Sequence, residues 1–272
     1  MGTLYLVATP IGNLQDITLR ALDVLRSVPL IAAEDTRSAR RLLDHFGIAA
    51  RLTSYNEHNA RAKTPSLLAA LAAGDVAVVS DAGMPGISDP GHDLVVAAVD
   101  AGYPVVPLPG ASAVVAAVAA SGLPSRRFHY LGFLPRQPGP RRRALREAAR
   151  SGDTLVVYES PHRLRKTLED ALAALGDRRI AACRELTKLY EEIWRGSIAE
   201  AIVYFTEPRG EFTLVIEGGA PPAAEPPAAT DIDGAIAEMR ASGTSSKDAV
   251  AALMQRFALP RRAAYAAWHR RA

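Results

Sequence analysis

A few short polar segments hold the groups in this chain that could do chemistry. The longest is Ser80-Asp81-Ala82-Gly83-Met84-Pro85-Gly86-Ile87-Ser88-Asp89-Pro90-Gly91, between the apolar run Val76–Val79 and an apolar helical pattern from Asp93 to Ala101. Strand-to-helix links usually take two to six residues, and this one takes a dozen, with three Gly, two Pro and two Asp. Gly lets a ligand approach the main chain, and Pro reduces the entropy lost on ordering the loop. A stiff loop at the carboxyl end of a parallel strand is where open α/β sheets bind small molecules. Further polar turns are Thr9 to Asn13, Glu34 to Arg37, Tyr55 to Asn59, Pro109 to Ala113, Glu159 to Arg163 and Glu185 to Lys188. They offer amides, hydroxyls and carboxylates but no strong nucleophile. That suits a cofactor carrying an activated group, with the protein supplying orientation and electrostatics.

Other chemistries lack their motifs. There is no P-loop, no Gly-x-Gly-x-x-Gly after the first strand and no Gly-x-Ser-x-Gly elbow. The six His are scattered without metal spacing, so no metal site is expected. The single cysteine, Cys183, lies in an apolar run and reads as a core thiol in a reducing, cytoplasmic setting. No apolar run approaches membrane-spanning length, and no signal peptide is evident. Net charge is only +3, yet Arg136 to Arg150 holds six Arg against one Glu, and Arg256 to Arg271 holds five Arg and no acid. Such clusters suit a polyanionic partner, or simply solvated faces.

The elements that must position these turns alternate strand and helix through the first 120 residues, which predicts a parallel α/β sheet. Strands are expected at Thr3–Ala8, Leu30–Ala33, Leu52–Tyr55, Val76–Val79 and Pro104–Leu108, with a first helix capped by Asp16. Each turn follows a strand, so the turns should gather at one rim. Leu123 to Arg127 reads as a boundary. Beyond it, strands at Phe128–Phe133, Thr154–Tyr158, Ile180–Glu185, Leu189–Trp194 and Glu211–Glu217, the last apolar at alternate positions Phe212, Leu214 and Ile216, predict a mixed sheet. Gly218 to Ala229, with four Pro and five Ala, reads as a linker before two or three short helices. The expected organisation is two α/β domains, 1–122 and 123–219, with a cofactor cleft between them. A 220–230 linker and a small helical appendix, 231–272, complete it.

Seven segments, in order, resemble the tetrapyrrole methylase-like superfamily, and within it its ribosomal RNA methyltransferase branch. They are Val7 to Leu14, Ala33 to Arg37, Ser80 to Gly91, Pro109 to Ala113, Gly132 to Arg136, Tyr158 to Arg163 and Arg184 to Lys188. The resemblance covers about residues 3–219. It implies a homodimeric enzyme that uses S-adenosyl-L-methionine for 2′-O-methylation of cytidine 1402 in 16S ribosomal RNA of the small ribosomal subunit. It implies cofactor contacts at Pro10, Ser80, Asp81, Ala82, Gly83, Ile87, Ser112, Ala113, Phe133, Glu159 and Leu186. Thr9-Pro10-Ile11-Gly12 and Ser80-Asp81-Ala82-Gly83 depart from the Gly-Pro-Gly-Asp and Gly-Gly-Asp-Pro of the tetrapyrrole enzymes, which favours the RNA branch.

A ribose hydroxyl attacks well only as its proton is removed. Glu34 and Asp35 are the expected acceptors, since an acidic position after the second strand is related in the superfamily; Arg37 would orient the carboxylate or hold a phosphate. For Asp35 a helix N-cap is the competing role. Asn13, Tyr55, Asn56, His58, Asn59 and Lys188 are expected on the substrate side, and Arg136, Arg141, Arg142 and Arg143 against the RNA backbone. Two alternatives stand beside this one: a tetrapyrrole methyltransferase of the same fold, and a non-enzymatic RNA-binding protein. The catalytic assignment predicts that Glu34→Gln or Asp35→Asn slows methyl transfer, and wild-type rates in both variants would remove it.

Overall fold

A computed structural model describes residues 2–219, 229–257 and 261–269, with the backbone alone at 229–231. In the first half the strands are β1 (Leu4–Val7), β2 (Leu30–Ala33), β3 (Leu52–Ser54), β4 (Val76–Val79) and β5 (Val105–Leu108). The helices following them are α1 (Leu19–Ser27), α2 (Thr36–His45), α3 (Ala60–Ala73), α4 (His92–Asp100) and α5 (Ala113–Ser121). The strands form one parallel sheet in the order β3-β2-β4-β1-β5. Alternate strand residues face opposite sides. Val7, Ile31, Ala33, Ala77 and Val79 pack with α1 and α2. Leu4, Ala32, Val76 and Val78 pack with α3 and α4. Burial on both faces is why these strands read as unbroken apolar runs.

The second half contains β6 (Phe128–Phe133), α6 (Pro138–Ala148), β7 (Thr154–Glu159), α7 (Pro161–Leu175), β8 (Arg179–Arg184), β9 (Glu192–Ser197), α8 (Ile198–Tyr204) and β10 (Phe212–Ile216). Its sheet runs β6-β7-β10-β8-β9, parallel only between β6 and β7. Helices α6, α7 and α8 bury Leu155, Val157, Leu214 and Ile216 on one face. The other face is covered by α5, through Val114, Ala117 and Val118 against Val156, Ala181, Cys183 and Val215. The Arg195 guanidinium donates to the Ser121 and Ala120 carbonyls at the end of α5, where the helix dipole favours a cation. The two sheets are thus joined by a shared helix, and residues 1–219 form one compact unit.

Residues 220–272 form a second unit. It contains α9 (Ala229–Ala241), α10 (Ser246–Phe257) and α11 (Arg261–His269), around Ile236, Val250, Leu253, Ala264 and Ala267. Most of the expected linker, 220–228, lies outside the described residues. Among the described residues no helix is long and apolar enough to cross a membrane.

Three local expectations need correction. Helix α1 starts at Leu19 with Thr18 as its cap, accepting from the Ala21 N–H, whereas Asp16 closes a short 3-10 turn begun by Asn13. Strand β9 starts at Glu192, not Leu189, because Glu185 and Thr187 take positive φ and the Glu191 carboxylate holds the Thr187 N–H, lengthening the turn. Strand β10 is apolar at Phe212, Leu214 and Ile216 as expected, but Thr213 and Val215 are buried too, since α5 covers that side.

In the second half a buried ion cluster ties α6 to α7. Asp170 accepts from Arg141 Nε at 2.7 Å and from Arg142 Nε at 2.5 Å. Burial opposes the charge, but the hydrogen bonds from Arg142 and Arg141 win and hold the Asp170 carboxyl below its ordinary value. The cluster's stabilisation is therefore complete above the unfolded value near 3.8 and lost as pH falls below it. Asp170→Ala, which strands a buried guanidinium, is expected to cost about 3–5 kcal/mol. Urea denaturation at neutral pH checks this, and a loss under about 1 kcal/mol contradicts it.

Candidate active site

Strands β1 and β4 are neighbours, but the chain leaves them in opposite directions. From β1 it crosses through α1 to β2, and from β4 through α4, on the other face, to β5. Their carboxyl ends therefore diverge and open a crevice. Thr9 and Gly83 span it with two main-chain hydrogen bonds, N–H to carbonyl in each direction, at 2.9 and 3.1 Å. The Thr9 hydroxyl donates to the Ser80 carbonyl, and Gly83 takes φ +80°, a conformation that favours glycine. Beside this bridge is a cavity of about 200 Å³, lined in part by Thr9, Pro10, Ser38, Arg41, Ser80 and Asp81. Of the expected cofactor contacts, only Pro10, Ser80 and Asp81 line it.

The rest of that set lies on the long loop after β4, at the start of α5 and, for Phe133, Glu159 and Leu186, on the second sheet. Ile11, Ala113 and Leu186 share one apolar cluster with Tyr130 and Tyr158, so three turns far apart in sequence converge. The Ser112 hydroxyl caps α5 by accepting from the Val115 N–H. Ser88 in the long loop bonds to the Tyr130 hydroxyl at 2.7 Å, and Tyr130 and Phe133 both pack edge-on against Tyr158. Phe133 is 58% exposed and Ile87 53%, two apolar side chains left open to solvent. Glu159 is fully buried and its carboxylate is occupied by Ser160 N–H, the Thr167 hydroxyl and Arg163. It shapes the end of β7 rather than presenting a side chain to a ligand.

Carboxylates dominate the rim. Asp35 caps α2 and takes a two-pronged bond from Arg37, which holds its carboxyl down at about 2. The N-cap that competes with a catalytic role for Asp35 is thus formed. Glu34 accepts from the Asp81 N–H at 3.2 Å. Burial pushes the Glu34 carboxyl up, the Asp81 N–H bond opposes this, and the charges of Asp81, Glu57 and Asp35 add to it. Asp81 is also pushed up, by burial and then by Asp35. Asp89 rises furthest, to about 6, through burial and the Glu34 charge.

Of the residues expected on the substrate side, two are buried, Tyr55 and Arg141. Tyr55 is 1% exposed, with its hydroxyl turned toward Thr64, because β3 delivers it into the core under α3. Arg141 is buried in the Asp170 cluster and also donates to the Arg136 carbonyl, so it cannot meet a phosphate. Arg142 is committed to the same Asp170 on one side. Lys188 is paired with Glu185 and Glu211, and its stem packs where a Cβ on Gly12 would fall. Asn56 and Asn59 bond to each other's backbone N–H and so build their own turn. His58, Asn13, Arg136 and Arg143 are exposed, Arg143 pairing with Glu147.

The donor set fits a cationic sulfonium cofactor: carboxylates along the rim, backbone at Ser80–Gly83, and apolar surface at Ile87, Phe133, Ala113 and Leu186. Pro10, Ser80 to Gly83, Ser112 and Ala113 would hold it. Sequence reasoning missed Asp89, Tyr130 and Tyr158. Asp89 lies inside the motif already singled out, but its environment comes from distant segments. The rim geometry can be tested at Gly110, where a Cβ would fall 2.8 Å from that of Ala8. Gly110→Ala is expected to lower stability by about 1–3 kcal/mol by forcing these turns apart. An unchanged urea midpoint contradicts this.

Comparison with known proteins places this geometry. The profile of the Tetrapyrrole (Corrin/Porphyrin) Methylases matches residues 3–202. The chain is 47% identical to a Ribosomal RNA small subunit methyltransferase I of Synechocystis sp., over 97% of this chain and 96% of that one. It is 50% identical to the protein of that name from Halalkalibacterium halodurans, over 80% and 76%. Among solved structures, a diphthine synthase matches with TM-score 0.65 at 15% identity, over 80% and 90% of the two chains. The uroporphyrin III C-methyl transferase of Thermus thermophilus matches with TM-score 0.58 at 20% identity, over 79% and 97%. Those two likenesses concern the fold alone. With a profile match over most of its length and near half identity across whole relatives, the chain belongs to the tetrapyrrole methylase family, in its ribosomal RNA small subunit methyltransferase I branch.

Proposed function

We propose that this chain uses S-adenosyl-L-methionine to methylate the 2′-hydroxyl of cytidine 1402 in 16S ribosomal RNA, working as a cytoplasmic homodimer on the small ribosomal subunit. The observation that carries the reading is the 47% identity to a ribosomal RNA small subunit methyltransferase I along nearly the whole chain. The bound cofactor supplies a methyl group on a sulfonium, ready for in-line displacement. The chain's own task is then to bind, orient and accept a proton. Pro10, Ser80, Asp81, Ala82 and Gly83 take the cofactor's methionine end, with Ser112, Ala113 and Leu186 beside it. Ile87 and Phe133 close over it as apolar walls, and Glu159 holds the end of β7 in place. Glu34 and Arg37 shape the charge of the rim.

RNA meets the exposed cations. Arg136, Arg146 and Arg150 are exposed around α6, whereas Arg141 is spent on the fold. Mapping 2′-O-methyl sites on 16S ribosomal RNA with and without the active protein tests the function, and no change at cytidine 1402 overturns it. For RNA binding, Arg136→Ala together with Arg146→Ala is expected to weaken affinity across sequences and to flatten its salt dependence by about two counterions. A Tyr55→Phe protein is expected to bind RNA as the wild type does. Filter binding across a salt series checks both, and an unchanged slope in the double variant removes the α6 contact.

A further inference from the structure

Helix α2 separates two openings of opposite character. Ser38 and Arg41 line the cavity beside the Thr9–Gly83 bridge, together with Ser80 and Asp81. Thr36, Arg37 and Arg40, on a stripe about half a turn away around the helix, line a second hollow of about 720 Å³ with Leu52, Thr53 and Ser54 of β3. That volume exceeds what a lone ion needs and lies in the range of small-ligand sites. The first side is acidic, with Glu34 accepting from the Asp81 N–H. The residues lining the second carry two guanidinium groups and three hydroxyls, and no carboxylate.

The fold places these donors. Strand β3 is an edge of the first sheet and only three residues long, so the hollow opens where no further strand lies beside it. The Ser54 hydroxyl accepts from Asn59 Nδ2 at 3.1 Å. Lys63, on α3, reaches the same strand and donates from Nζ to the Thr53 hydroxyl at 3.2 Å, bringing a third cation to the edge. Both hydroxyls act as acceptors in these bonds, which leaves their own protons to donate. Asp35 engages Nε and Nη2 of Arg37. Arg40 is exposed, and among the described residues no carboxylate pairs with it.

We propose that this hollow between α2 and β3 binds a phosphodiester of the RNA strand, with Arg40 as its principal cation. Arg37 and Lys63 flank it, and the Thr36, Thr53 and Ser54 hydroxyls donate to the phosphate oxygens. The inference rests on the methyltransferase reading above and adds a second backbone contact to that of α6. Hydrogen-bond donors and positive charge without a carboxylate suit a phosphate, and repel a cationic sulfonium or a metal ion. The two openings lie about one helix diameter apart, roughly 10–12 Å. A strand reacting on the acidic side of α2 is thus held by a neighbouring phosphate on the basic side, a contact that positions without reading sequence. Charges beside an edge strand also guard it against pairing with another chain, and the experiment separates the two roles.

Filter binding of 16S ribosomal RNA and of assembled small subunits, each across a salt series, tests the site. Arg40→Gln is expected to weaken RNA affinity about tenfold at low salt and to lower the salt slope by about one counterion. Arg40→Lys, which keeps the charge, should keep the slope. Thr53→Val, on the opposite wall, should weaken affinity with the slope kept. Arg26→Gln, at the far end of α1 from the rim, should change neither. Calorimetric affinity for S-adenosyl-L-methionine should match the wild type in every variant. A slope that falls no further in Arg40→Gln than in Arg26→Gln overturns the site, and leaves the function standing where the wild type still methylates cytidine 1402. Loss of cofactor affinity alongside RNA affinity in Arg40→Gln marks a general disturbance of α2 and overturns it too. Weaker binding to assembled subunits with unchanged binding to the naked RNA identifies an acidic protein segment as the occupant and overturns the assignment to RNA. A wild-type protein that binds the cofactor but neither binds nor methylates ribosomal RNA overturns the function and this site with it.

Discussion

The site depends on two main-chain hydrogen bonds between Thr9 and Gly83, made where two adjacent strands part company. A parallel sheet whose neighbouring strands send their chains to opposite faces leaves a gap at their carboxyl ends. Here the gap is bridged by backbone rather than by side chains. Ser80 to Gly83 is thereby held across the rim, and the positive φ of Gly83 lets the chain turn back there. The cavity at Pro10, Ser80 and Asp81 opens directly beside this bridge.

Shared packing completes the arrangement. Helix α5 begins at the Pro109 to Ala113 turn of the first sheet and lies on the face of the second. One helix thus fixes the distance between the rim and the aromatic group of Tyr130, Phe133 and Tyr158. Arg195 at the far end of α5 donates to its last carbonyls and holds the helix in register. The carboxylates on the rim raise one another's proton affinity except where a guanidinium intervenes. Asp35 is held down at about 2 by its bond to Arg37, whereas burial and then the Glu34 charge push Asp89 up to about 6.

Much of this was legible in the sequence. Continuous apolar runs at Leu30–Ala33 and Val76–Val79 announce strands buried on both sides, and a polar turn after each strand fixes the rim. What was not legible depends on partners distant in the chain. Arg141 reads as one of six basic residues facing solvent, yet Asp170, 29 positions on, draws it into the core. Tyr55 reads as part of a polar turn, but its ring falls on the core side of β3 under α3. The start of β9 was misplaced because positive φ at Glu185 and Thr187 is set by Glu191 and Glu211, not by local propensity. Asp89 was visible as a residue, but its raised carboxyl was not, since that comes from burial and from the charge of Glu34, just past the end of β2.

The Thr9–Gly83 bridge is expected to mark the cofactor site, and a crystal structure of the protein with S-adenosyl-L-methionine tests this. Ligand density is expected against Pro10 and Ser80–Gly83, reaching Ser112, Ala113 and Leu186. Density confined elsewhere, such as the surface hollow lined by Trp194, Glu200 and Tyr204, would contradict it.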